Sequence, residues 1–119
     1  MERTILVVDD EQGYRDLLSM DLSEVSYTVL TAGGGPEALD ILKKEKVDLV
    51  ITDMKMPKMD GLDVVIAGRQ LRPDLPFILM TGFAMEERVL EALKKGASAC
   101  LRKPFQMVEL QIAIKKALN

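Results

Sequence analysis

Ile5-Leu6-Val7-Val8-Asp9-Asp10 is an unbroken, β-branched-rich apolar run that stops on two acids. A strand buried on both faces reads this way, because neither of its faces has to meet water. The phrase recurs at Asp48-Leu49-Val50-Ile51-Thr52-Asp53, and shorter versions stand at Thr28-Val29-Leu30-Thr31, Phe77-Ile78-Leu79-Met80 and Ser98 to Arg102. Between these runs the apolar period changes to that of a helix. From Glu11 onward the stripe is Tyr14, Leu17, Leu18, Leu22 and Val25. After the turn Gly33-Gly34-Gly35-Pro36 it is Ala38, Leu39, Ile41 and Leu42, with Lys43, Lys44 and Lys46 suited to the negative end of the helix dipole. Leu62 to Leu71 is helical by period in spite of Gly68. Glu86 to Lys95 carries Val89, Leu90 and Leu93 on one side and stops at Gly96, and Phe105 to Leu118 carries Met107, Leu110, Ile114 and Leu118. Five strand-to-helix alternations predict an α/β fold with a parallel sheet covered on both faces.

The 119 residues suit one compact domain, and 48% hydrophobic against 29% charged residues favours an ordered globular chain over a disordered one. A net charge of -3, with 16 basic residues scattered among 19 acids, argues against direct nucleic-acid binding, which needs a basic face. Cys100 is the only cysteine, so no internal disulfide can form and a reducing, cytoplasmic setting is expected. The opening run is too short for a signal peptide or a membrane span. Histidine is absent, which leaves carboxylates, hydroxyls and lysines to carry any chemistry.

In open parallel sheets ligands bind beyond the carboxyl ends of the strands. Asp9, Asp10, Asp53, Thr81 and Lys103 all fall at or just past those ends, so five polar groups should converge on one edge. Taken singly each has a bland explanation: Asp10 or Thr81 as a helix cap, Lys103 as a surface lysine. Together, three carboxylates repel one another unless a cation or proton relieves them, and a hard cation is the physical expectation. Mg²⁺ suits a site with few protein carboxylates, water and a phosphate oxygen, while zinc is disfavoured without histidine or clustered cysteine. Lys103 precedes Pro104 and is thereby held extended, projecting its ammonium. The hydroxyl of Thr81, before Gly82, could donate to a phosphoryl oxygen. Gly33-Gly34-Gly35 lacks the spacing of a phosphate-binding loop and reads as a flexible turn. Pro57 and Asp60-Gly61 read as rigid turn residues leading into the third helix.

Val8-Asp9-Asp10, Asp53-Met54-Lys55-Met56-Pro57 with Asp60-Gly61, Met80-Thr81-Gly82, Gly96-Ala97 and Lys103-Pro104-Phe105 resemble, in order and spacing, bacterial response-regulator receiver domains of two-component systems. The resemblance covers nearly the whole chain, read as one receiver domain over 1–119. It implies a five-stranded sheet of order 2-1-3-4-5 and an Asp53 that accepts a phosphoryl group from a sensor histidine kinase or phosphotransfer protein. It further implies Mg²⁺ held by Asp10, Asp53 and the backbone carbonyl of Lys55, with Asp9 acting chiefly through water. Lys103 and Thr81 would meet the phosphoryl oxygens. Such a domain is a switch and no enzyme beyond its own phosphorylation and dephosphorylation. Its output passes through the face of helix four, strand five and helix five to a partner, an attached effector domain or a second copy of the chain.

Two features depart from the family pattern or qualify it. Receivers commonly carry Tyr or Phe three residues before the lysine, where this chain has Cys100, read as a small buried hydrophobe. Lys55 and Phe83 are bulky where water would approach an aspartyl phosphate, so a long-lived phosphoryl group is expected. Met85, Val89 and Met107 lie near the output face and read as core rather than contact. Two rival readings are an aspartyl-phosphate phosphatase, which would need a second Asp where Lys55 stands, and a binding module without phosphorylation. The sequence leaves open whether Asn119 ends a single-domain regulator or a receiver within a longer protein.

Overall fold

The computed structural model describes residues 2–82 and 87–119. Its elements alternate as β1 (Thr4–Val8), α1 (Gln12–Glu24), β2 (Thr28–Ala32), α2 (Gly35–Lys44), β3 (Leu49–Asp53), α3 (Gly61–Leu71), β4 (Phe77–Thr81), α4 (Glu87–Lys94), β5 (Ala97–Arg102) and α5 (Met107–Leu118). The strands form one sheet in the order β2-β1-β3-β4-β5, as the resemblance implied, and every neighbouring pair is parallel.

The unbroken apolar runs follow from a core on each side of the sheet. Ile5, Val7, Leu49, Ile51, Ile78 and Met80 pack with Leu18, Leu22, Leu110 and Ile114 beneath α1 and α5. Their sequence neighbours Leu6, Val8, Val50, Phe77 and Leu79 pack with residues of α2, α3 and α4. Strand alternation sends successive side chains to opposite faces, and both faces here are apolar. Gly68, the residue that interrupts the third helical stripe, lies where a Cβ would come within 2.6 Å of Phe77 Cζ. Its lack of a side chain lets α3 settle on β4.

Register positions the functional edge. Val8 pairs with Thr52, Asp53 with Met80, and Thr81 with Arg102. Asp9 and Asp53 therefore sit side by side one residue beyond the Val8–Thr52 pair, and Lys103 follows the last paired residue of β5.

Several boundaries and stripes differ from expectation. Leu17 and Val25 are 52% and 43% exposed, so the buried stripe of α1 is narrower than predicted. Leu18 and Leu22, one turn apart, form its centre, Leu17 flanks it, and Val25 is the residue that caps the helix. Asp48 precedes β3, where its Oδ2 accepts the Thr4 N–H at 2.8 Å. Gly35 begins α2, and a Cβ there would meet Met59 Cβ at 2.6 Å, so the glycine run ends in a tight contact. Phe105 lies outside α5, because Gln106 caps that helix and its N–H donates to Glu109 Oε1 at 3.0 Å. Gly96 follows α4 with φ +120, a conformation that suits glycine and explains the stop. The predicted helix start at Glu86, together with Phe83 and Met85, lies outside the described residues.

Candidate functional site

Asp9, Asp53 and Thr81 are among the few buried polar residues, at 0%, 8% and 2% exposure, whereas Asp10 is exposed. Asp9, Asp10 and Asp53 each bring a carboxylate oxygen to within 4.8 Å of the other two. Asp10 does not cap α1. Glu11 occupies the cap position, and its N–H donates instead to Asp9 Oδ1 at 3.0 Å. Arg15 from the first turns of α1 donates to the Asp9 carbonyl at 2.7 Å, fixing the backbone between the two acids.

Lys103 reaches into this cluster. Its Nζ donates to Asp9 Oδ2 at 2.9 Å and lies 3.4 Å from Asp53 Oδ2. Its backbone N–H donates to the Thr81 carbonyl at 2.7 Å, so the residue that follows β5 is tied to the last residue of β4. Burial works against the ammonium, but its hydrogen bond to Asp9 and the charges of Asp53 and Asp9 outweigh it and hold the Lys103 pKa above its ordinary 10.5. Burial lifts the Asp53 carboxyl above its ordinary 3.8, the Lys103 charge opposes that rise, and the Asp9 charge adds to it. Asp10, Asp53, Lys55, Thr81 and Lys103 line an open cleft of about 350 Å³. The donor set is all oxygen, with three carboxylates and neither histidine nor cysteine, which fits a hard cation such as Mg²⁺.

The loop from Asp53 to α3 is shaped by close backbone approach. The Gly61 N–H donates to the Met54 carbonyl at 2.9 Å, and a Cβ on Gly61 would stand 2.9 Å from the Asp53 carbonyl oxygen. Asp60 is more than a turn residue. Its Oδ1 accepts the Asp63 N–H at 3.0 Å and Asp63 Oδ2 accepts the Asp60 N–H at 3.1 Å, a reciprocal cap on α3. Lys58 takes a positive φ of 70 within the same loop.

The five strand-end residues foreseen from sequence thus meet at one edge. Two neighbours were not foreseen. Lys103 Nζ lies 4.1 Å from the centroid of the Tyr14 ring, and Tyr14 meets Phe105 edge-on, with centroids 6.2 Å apart and planes at 76°. The signal available was spacing: Tyr14 stands four residues after Asp10, one turn along α1 from the site. Arg88 of α4 pairs with Asp60 and reaches Asp63 Oδ1 at 3.3 Å. Cys100 is half-buried on the opposite side of the sheet, packed with the α2–α3–α4 core, and burial pushes its thiol pKa up. Val89 is fully buried and Met107 partly so, in keeping with their reading as core.

A doubly covered parallel sheet whose strand ends gather acids, a lysine and a buried threonine defines an α/β module with one polar edge suited to a hard cation. The chain belongs to the response regulator receiver domain family, whose model matches residues 5–115. It is accordingly a phosphoacceptor switch of two-component signalling. It is 36% identical to sporulation initiation phosphotransferase F of Bacillus subtilis over 99% of this chain and 95% of that protein. It is 37% identical to the transcriptional regulatory protein GlrR of Escherichia coli over 97% of this chain, but spans only 26% of that protein. Among solved structures, a receiver domain from Clostridium thermocellum is 37% identical and superposes with a TM-score of 0.93 over 98% of this chain and 94% of that one. The response regulator TrrA of Thermotoga maritima, solved in complex with Mg²⁺–BeF, is 37% identical, with a TM-score of 0.88 over 98% of this chain and 99% of that one. Among the described residues no helix is long and apolar enough to cross a membrane.

Proposed function

We propose that Asp53 is the phosphoacceptor of a single receiver domain spanning 1–119, charged by a phosphohistidine on a sensor histidine kinase or phosphotransfer protein in the cytoplasm. An Asp53 carboxylate oxygen attacks the phosphorus in line, a P–O bond forms, the P–N bond breaks, and the electron pair leaves on the donor imidazole. No separate general base is required, because the transfer needs mainly in-line positioning and charge neutralisation. Lys103 is poised to follow the negative charge from the carboxylates to the phosphoryl oxygens, and the Thr81 hydroxyl to donate to one of them. Asp10, Asp53 and the backbone carbonyl of Lys55 would hold Mg²⁺, with Asp9 acting through water. When bound, the cation relieves carboxylate repulsion and offsets charge on the transferring group.

The observation that carries this reading is Lys103 Nζ at 2.9 Å from Asp9 and 3.4 Å from Asp53, inside a cluster of three carboxylates. Charging Asp53 removes one partner of that ammonium and supplies a stronger one. The α4–β5–α5 face would then change its equilibrium and control a partner, an attached effector domain or pairing with a second copy. The only reaction assigned to the chain is its own phosphorylation and dephosphorylation.

Titration with beryllofluoride and Mg²⁺, followed by NMR or calorimetry, tests the proposal. Saturable, Mg²⁺-dependent binding by the native chain that disappears in Asp53→Asn is expected. Absence of such binding in the native chain would favour a binding module that works without phosphorylation.

A further inference from the structure

We propose, on the reading that Asp53 is the phosphoacceptor, that Tyr14 is a positioning residue for the transfer, its ring holding the Lys103 ammonium against Asp53. A lysine has a long, freely rotating stem, and its charged end finds water unless something confines it. Here the stem is confined at both ends. The Lys103 N–H is tied to the Thr81 carbonyl at 2.7 Å, while Nζ has Asp9 at 2.9 Å, Asp53 at 3.4 Å and the Tyr14 ring centroid at 4.1 Å. Only 17% of the Lys103 side chain remains exposed. Phe105, two residues along the same loop, meets the ring edge-on and supports it, and both aromatics pack on the α1–α5 core.

The two kinds of partner behave differently during transfer. The carboxylates are charged acceptors that compete with an incoming phosphoryl group for the ammonium. An aromatic face attracts a cation without offering a lone pair, so Lys103 can exchange acceptors while remaining over the ring. Among the described residues, the ring over the Lys103 ammonium comes from α1, whereas the β5 position three residues before the lysine is Cys100, which packs on the other side of the sheet.

Phosphoramidate serves as the test donor, since it needs no kinase docking. At saturating phosphoramidate and Mg²⁺, Tyr14→Leu should slow the phosphorylation rate constant about fivefold to tenfold, and Tyr14→Phe, which keeps the ring, should recover most of it. Mg²⁺ affinity should stay within about twofold in both variants, because the ring touches the lysine and not the carboxylates. A Tyr14→Leu rate equal to native, a Tyr14→Phe rate as slow as that of Tyr14→Leu, or a matching loss of Mg²⁺ affinity would each overturn the proposal. A spectroscopic arm covers loss of folding in Tyr14→Leu. The chain has no Trp and two Tyr, so Tyr27→Phe leaves Tyr14 as sole emitter. Its emission should change when Lys103→Met removes the ammonium over the ring, and an emission unchanged by Lys103→Met would overturn the proposal. Failure of the Asp53 reading is distinguishable, since it would appear in the native chain as absence of phosphorylation at Asp53 before any Tyr14 variant is compared.

Discussion

Lys103 is held at both ends, its N–H by the Thr81 carbonyl and its Nζ by Asp9, Asp53 and the Tyr14 ring, and the loop that carries Asp53 tolerates little displacement. Gly61 shows this most sharply. A Cβ there would stand 2.8 Å from Met54 Sδ and 2.9 Å from the Asp53 carbonyl oxygen, so Gly61→Ala must move the backbone that carries the acceptor. A loss of about 1–3 kcal/mol is expected from such overpacking, read by denaturant unfolding, together with slower phosphorylation. Cys100 makes a contrasting prediction. Half-buried and with its thiol pKa raised by burial, it should react with a disulfide reagent at neutral pH far more slowly in the native chain than in the same chain unfolded in denaturant. Equal rates would contradict its placement against the α2–α3–α4 core. The five strand-end groups were legible because each closes an apolar run, a pattern that needs no tertiary information. The role of Tyr14 was not, since an aromatic in a helical stripe reads as core. Only the meeting of α1 with the loop after β5, residues far apart in the chain, puts a cation over the ring.

At the scale of elements, the start of α3 is held from within and from outside. Asp60 caps the helix and also accepts from Arg88 of α4. Asp60→Ala should cost about 1 kcal/mol through the cap alone, measured by thermal or urea unfolding. The pairing also sets a pH dependence. Burial works to raise the Asp60 carboxyl, yet hydrogen bonds from Arg88 and the Asp63 backbone and the Arg88 charge hold it below its ordinary 3.8. A folded pKa below the unfolded one gives stability that is present above 3.8 and is lost as pH falls through the lower folded value. Native stability should therefore fall more steeply than that of Asp60→Asn on acidification below the ordinary carboxylate range, and parallel curves would remove Asp60 from the account. Arg88 is half exposed, so Arg88→Ala should lower Tm only slightly. Of these elements the sequence made the strands plainest, because a double-sided core demands unbroken apolar runs. It overstated the apolar width of α1, where Leu17 resembled core by period but sits beside the Leu18–Leu22 line. The cap at Asp60 read only as a turn, since Asp at position three of the helix is a weaker cue than Glu or Gln.

For the whole molecule, parallel pairing turns five separate chain segments into one edge, and charge repulsion there is the cost of function. Lys103 pairs with Asp9 and Asp53 while Asp10 stands in the same carboxylate cluster, so a cation joining them would relieve the repulsion. Mg²⁺ binding to the folded chain alone should raise Tm with increasing concentration by mass action, and Asp10→Asn should blunt that rise. A Tm independent of Mg²⁺ would count against a cation site at this edge. Alternation and double coverage of the sheet followed from hydropathy alone, whereas the strand order came from the family resemblance. Burial sets β1, β3 and β4 apart from the edge strands β2 and β5, but hydropathy does not say in what order the strands stand.

The most direct measurement is intact-mass analysis of the native chain after incubation with phosphoramidate and Mg²⁺, followed by reductive trapping and peptide mapping of the acyl phosphate. One added phosphoryl group is expected, mapped to Asp53, dependent on Mg²⁺ and absent from Asp53→Asn. A chain that stays unmodified, or that is modified equally well as Asp53→Asn, would contradict it.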